Sequence, residues 1–206
     1  MTPVDLSYPF TGRWLTQNSP ANRVPSHGTA AFATSYAIDF VPVADNGRTA
    51  PVTLGSLFRP EDPERFPGFG RAVTAPIDGR VVEVHDSSVD HPAYRGFPSV
   101  GYALTQGRRI AAGWLALAGN HVMIETPAGV IVALCHLRQH SVSLEVGDQV
   151  RVGDLCGECG NSGNSTEPHL HLQAIDSLDI RKARAVPITF NGSVPVNGDV
   201  VNVSHR

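Results

Sequence analysis

Lysine is almost missing from this sequence: Lys182 stands alone among 206 residues, against nine histidines. Sixteen basic and nineteen acidic side chains leave a formal net charge of -3, so the basic surface that binds nucleic acid is not expected. Long apolar runs are missing too. The longest, 110–118 and 130–135, fall far short of the ~18–20 residues that cross a bilayer, so no membrane span is expected. The N-terminal segment lacks both a basic n-region and an apolar h-region, so the expectation is a chain with no secretory leader, cytoplasmic by sequence. Cysteine is scarce and odd in number, at positions 135, 156 and 159, which excludes a disulfide scaffold. Cys156-Gly-Glu-Cys159 has CxxC spacing, but no second pair completes a zinc knuckle and no βαβ pattern surrounds it. Two small buried residues beside a turn are expected there.

What is present is the composition of one globular domain, with 41% hydrophobic and 17% charged residues. Glycine (20) and proline (16) punctuate the chain every few residues, as turns do in a β protein. A strand is predicted over 36–43 (YAIDFVPV), two β-rich runs around the turn Asp78-Gly79, and a hairpin from 121–126 and 130–137 about a Pro-Ala-Gly turn. Gly-Asp turns at 147–148 and 153–154 precede a tight glycine loop over 157–163 and a strand over 169–175. Helix is predicted only as a short turn at 60–65 and a weak segment at 111–118. The expected fold class is all-β and mostly antiparallel, a sheet curled into a sandwich or half-barrel.

The strongest chemical signal is the loop 160–168, which feeds a strand opening with His169-Leu170-His171. Residues two apart on a strand point to the same face, so His169 and His171 project together toward one metal or one substrate, or lie exposed on a polar sheet face. Catalytic zinc takes three protein ligands and keeps a position for water, so further ligands are needed. Asp39 interrupts the apolar run Tyr36-Ala37-Ile38-Asp39-Phe40-Val41; a carboxylate there is costly to bury unless it is paired or holds a cation. His27 lies twelve residues upstream, and His136 ends an apolar strand in Leu134-Cys135-His136-Leu137.

This set resembles the lysostaphin-like, or LytM-type, zinc metalloendopeptidases, which cut peptide crosslinks in bacterial cell walls. The connecting elements resemble that family as well: Ala75-Pro-Ile-Asp-Gly-Arg-Val81 its APxDGxV hairpin, Gly119-Asn120-His121-Val122 a strand start, and 147–153 with 160–171 its closing segment. The resemblance implies one Zn2+ held by His27, Asp39 and His171, with His136 and His169 as the catalytic pair. It implies a duplicated-hybrid-motif or barrel-sandwich sheet with long loops and little helix. A lead-in over 1–21 is expected, then a peptidase domain over 22–176 with insertions at about 45–70 and 86–118, and a C-terminal extension over 177–206 adding edge strands. The implied partner is a peptide or peptidoglycan, met outside the cell if a leader is removed or another export route is used; oligomeric state is left open. The family's first motif is usually His-x-x-x-Asp, so the longer spacer between His27 and Asp39 must loop out for both to reach one ion.

Three other readings compete. A carrier or phosphotransfer barrel-sandwich module fits the segments 75–84 and 147–154, but Lys182 lies outside any hairpin tip that would carry a cofactor. A catalytically inactive member would bind the wall or regulate a wall hydrolase; such proteins usually lack a metal ligand, and none is lacking here. A metallopeptidase with a substrate other than the wall is the third. Of the remaining histidines, His85, His91, His140 and His205 are expected at the solvated surface, and His121 near the cleft. Asn120 and Gln173 are candidates to orient ligands from behind.

Overall fold

The computed structural model describes residues 2–51 and 54–204; His205 lies outside them. Among the described residues the strands are β1 (Val4–Leu6), β2 (Gly12–Gln17), β3 (Ile38–Pro42), β4 (Ala72–Thr74), β5 (Gly79–His85), β6 (Asn120–Glu125) and β7 (Ile131–Leu137). They continue with β8 (Gln149–Val150), β9 (Leu155–Glu158), β10 (Leu170–Ile175), β11 (Ala185–Val186), β12 (Ile188–Phe190) and β13 (Val200–Val203). The main sheet runs β13-β2-β3-β10-β7-β6-β5-β8, antiparallel throughout, with β11 on the far end of β10. Two small pairs, β1–β12 and β4–β9, share its core. The expected antiparallel all-β architecture is the one observed.

Alternation decides which face is which. Ile38 and Phe40 of β3, Val132 and Leu134 of β7, and Leu170 and Leu172 of β10 point into one core. There they meet Phe10 and Phe190, whose rings pack edge-on with Phe40, and Trp14, which stacks on Phe10. Each such side chain contributes roughly 1.5–3 kcal/mol on burial. Cys156 and Cys159 belong to this core as unpaired thiols. Burial pushes both thiol pKa values up, Cys156 to about 12, so neither is a ready nucleophile.

Several expectations need correcting. The runs flanking Asp78-Gly79 do not form a hairpin: β4 pairs with β9, while β5 pairs with β6 and β8. Local turn chemistry is right there, but long-range pairing takes the two strands into different sheets. The insertion over 86–118 is more helical than its glycines suggest, with α1 (Phe97–Leu104), α2 (Gln106–Ala112) and α3 (Trp114–Ala118). The expected helix over 111–118 is split by Gly113, whose φ of +98° lies outside helical space. No helix among the described residues is long and apolar enough to cross a membrane.

Candidate active site

The site grows from the three central strands. β10 lies between β3 and β7, and its register sets His171 opposite Asp39 on one side and Cys135 on the other. Directly opposed residues on an antiparallel pair have Cβ atoms ~5 Å apart, so an acidic and a basic group on this face must meet. His171 Nδ1 stands 2.9 Å from Asp39 Oδ1. His169, one residue before the strand, shares the face, its Nε2 3.9 Å from the same oxygen.

His27 arrives from the loop before β3. Its spacer folds into a 3₁₀ segment, Ala31–Tyr36, with left-handed backbone at Phe32 and Ala33. That coil absorbs the extra residues and returns His27 Nε2 to 3.1 Å from Asp39 Oδ2. Asn18 Nδ2 donates to the same oxygen at 2.7 Å. Nothing in the sequence marked Asn18, because only the β2–β3 pairing brings it there.

The hydrogen bonds around the two imidazoles state what the cluster can hold. Gln173 Nε2 donates to the Phe32 carbonyl, which turns its Oε1 toward His171 to accept from Nε2–H at 3.0 Å. Ser26 Oγ donates to the Thr34 carbonyl and so accepts from His27 Nδ1–H at 2.9 Å. In each neutral ring the remaining nitrogen is a lone pair aimed at a carboxylate oxygen. Two such facing pairs call for a cation between them, either a proton or a metal ion. One ligand atom from each of His27, Asp39 and His171 lies within 4.8 Å of the others, and atoms bonded to one tetrahedral zinc lie about 3.3 Å apart. The donor set and its spacing therefore fit zinc, and Gln173 and Ser26 hold the two rings from behind.

The electrostatics agree. Burial opposes the charge on Asp39, but His27, His169 and His171 outweigh it and hold the carboxyl well below its usual range. Burial likewise opposes a charge on His27, and the Asp39 carboxylate outweighs it, raising that imidazole. Asp39 is the buried mid-strand acid whose cost these partners remove.

His136 reaches the site by breaking the strand's alternation. Val132 and Leu134 face the core, so parity would send His136 there too. Instead the register moves from His121↔Cys135 to Asn120↔Leu137, which leaves one extra residue on β7. His136 sits in that bulge with a φ of +64°. Cys135 and His136 therefore both line the groove, and Leu137 returns to the core. Asn120 Nδ2 and Ser162 Oγ both donate to the Leu137 carbonyl. Asn120 thus braces the bulge rather than a ligand. His136 and His169 sit with ring centroids 4.7 Å apart. His136 Nδ1–H donates to the Ser162 carbonyl and His169 Nδ1–H to the Glu167 carbonyl, so in the neutral form each ring carries its lone pair on Nε2. Burial first, then the neighbouring His169 and His171, push His136 well below its ordinary pKa and keep it neutral.

Glycine is required where the loops meet. A Cβ on Gly119 would lie 2.6 Å from the Gly163 nitrogen, and both residues have positive φ. The other histidines divide. His140 is exposed. His121 is fully buried and paired with Glu83 at 2.9 Å. His85 and His91 are partly exposed and also bonded: His85 to Ser88, and His91 Nε2 to the Gly163 carbonyl at 2.9 Å.

All five candidate residues open into one groove of about 300 Å³, walled on one side by the helical insertion. Residues 98–184 match the model of peptidase family M23. Over that segment, less than half of the chain, the sequence is similar to this family. The matched segment contains His136, His169 and His171 but stops short of His27 and Asp39, which the fold adds. Lysostaphin of Staphylococcus simulans is 36% identical over 90 residues, covering 43% of this chain and 18% of that protein. Glycyl-glycine endopeptidase ALE-1 of Staphylococcus capitis is 26% identical over 88 residues, covering 43% and 24%. The matches thus span less than a quarter of the length of these curated relatives. Among solved structures, the catalytic domain of lysostaphin from Staphylococcus simulans aligns over 73% of this chain and 74% of that one, at 20% identity and a TM-score of 0.41.

Proposed function

We propose that this chain is a peptidase of the M23 kind, a zinc-dependent endopeptidase hydrolysing peptide bonds in the crosslinks or stem peptides of peptidoglycan. The observation that carries this reading is the pair of imidazole nitrogens facing the two Asp39 oxygens, with the His136 and His169 rings beside them. His27, Asp39 and His171 are the proposed ligands of one zinc ion. When bound, zinc polarises a carbonyl and lowers the pKa of a nearby water toward neutrality. His136 and His169 do the proton work. Each presents a free Nε2, so either can accept the proton of the attacking water and hand it to the leaving amine. Once protonated, the same nitrogen donates to the developing oxyanion. The carbonyls of Ser162 and Glu167 keep both rings in the tautomer that this requires. Glycine-rich crosslinks are a fitting first substrate, since one relative is named a glycyl-glycine endopeptidase.

The test is to incubate the zinc-loaded protein with purified peptidoglycan, pentaglycine and D-amino-acid-containing peptides, with and without a chelator. New amino termini should appear, vanish on chelation and return with added zinc. A protein holding one zinc per chain that cleaves none of these, or that cleaves equally in chelator, overturns the reading.

Gln173→Leu tests the support behind the metal. It leaves the His171 Nε2–H without its acceptor, so zinc affinity should fall about 10–100-fold, read by competition with a chelating dye. Unchanged affinity would show that Gln173 does not orient the ligand.

A further inference from the structure

Arg109 of α2 is a half-buried cation on the groove wall with no counter-ion among the described residues. Its guanidinium lies 3.7 Å from the centre of the Tyr102 ring. Nε donates to Asn164 Oδ1 at 2.5 Å, one terminal nitrogen to Thr105 Oγ1 at 2.7 Å, and the other to the Tyr102 carbonyl at 2.7 Å. All three acceptors are neutral. Arg80, Arg95, Arg138 and Arg184 each have a carboxylate partner; among the described residues Arg109 has none, as is also true of Arg71, but Arg71 lies away from the groove with its donors on backbone carbonyls. It is also the only arginine or lysine among the described groove residues, and the one carboxylate there, Asp39, is engaged by imidazoles.

A guanidinium has five N–H donors, so both terminal nitrogens keep one to spare. Stacked on the ring and held at three corners, the group is rigid before any ligand arrives, so little further ordering is needed on binding. A partly desolvated charge without an opposite charge is unfavourable; a carboxylate is the partner whose two oxygens match the fork.

We propose that Arg109 is a specificity-determining residue that recognises a carboxylate on the bound peptide, so that the preferred substrate carries an acidic group near the scissile bond. The proposal rests on the endopeptidase reading only for what lies beside that carboxylate. The interaction itself is a binding property of the groove.

The probes are acetylated, amidated pentaglycine peptides in which each position in turn carries Glu or Gln, in both L and D forms. Binding to the zinc-loaded full chain is measured by calorimetry, and cleavage is followed in parallel by mass spectrometry. At one position or more, Glu should bind about tenfold tighter than Gln, with the preference shrinking as salt rises. Arg109→Gln should bring the ratio close to one, and Arg109→Lys should keep part of it, since lysine retains the charge but not the fork. Equal binding of Glu and Gln at every position, or no binding by any Glu peptide, overturns the proposal. So does an Arg109→Gln protein that weakens both peptides equally, which would make Arg109 only a clamp on the helical insertion. A Glu preference without cleavage leaves this inference standing and removes the endopeptidase reading; cleavage without the preference does the reverse.

Discussion

His171→Ala should lose zinc and hydrolysis together. The ring occupies the centre of the cluster, 2.9 Å from Asp39 Oδ1 and braced by Gln173 on its other nitrogen. Without it the proposed zinc keeps two protein ligands, too few for a stable catalytic site. Lewis-acid stabilisation is worth several kcal/mol, so kcat/KM should fall on the order of a thousandfold or more. Metal analysis should show the zinc content dropping from one per chain toward zero. Asp39 keeps Asn18 and His27 as partners, so the fold should survive, and circular dichroism checks this. A variant that retains stoichiometric zinc would remove His171 from the ligand set. One that loses zinc and still cleaves would remove the metal from the mechanism.

His136→Asn should do the opposite: leave zinc in place and remove catalysis. Asparagine tolerates positive φ better than most residues, so it suits the left-handed backbone at this position. Any loss can then be assigned to the missing imidazole rather than to a disturbed bulge. A general acid–base group contributes about 10²–10⁴-fold, and kcat should fall within that range with zinc content unchanged. His136 and His169 stand close enough to act as a unit, so adding His169→Ala should cost far less than its separate effect. Activity within a few-fold of the native enzyme would exclude His136 as the proton carrier, and loss of zinc would make it a ligand.

Much of this site is legible in the chain because strand geometry is local. His-x-His at a strand start puts two imidazoles on one face whatever the sheet looks like. A lone acid in an apolar strand signals a partner before the partner is known. The same locality explains the misses. His136 is named from its place at a strand end, although parity along β7 alone would send it into the core; the bulge opposite Asn120 turns it out. Nothing near Asn18 or Arg109 distinguishes either residue from any other polar side chain. Asn18 matters because β2 pairs with β3, and Arg109 because a helical insertion folds back over the groove.

Residue types and strand spacing mark Asp39, His136, His169 and His171 as candidates and lead to the expectation of an antiparallel β domain, while the family resemblance adds His27 and gathers the five into one site. Which of them share a face, how the spacer after His27 closes, and where β4 and β5 find their partners depend on register and on contacts between distant segments. Those choices are made by the global balance of core packing and backbone pairing, which no window of neighbouring residues contains.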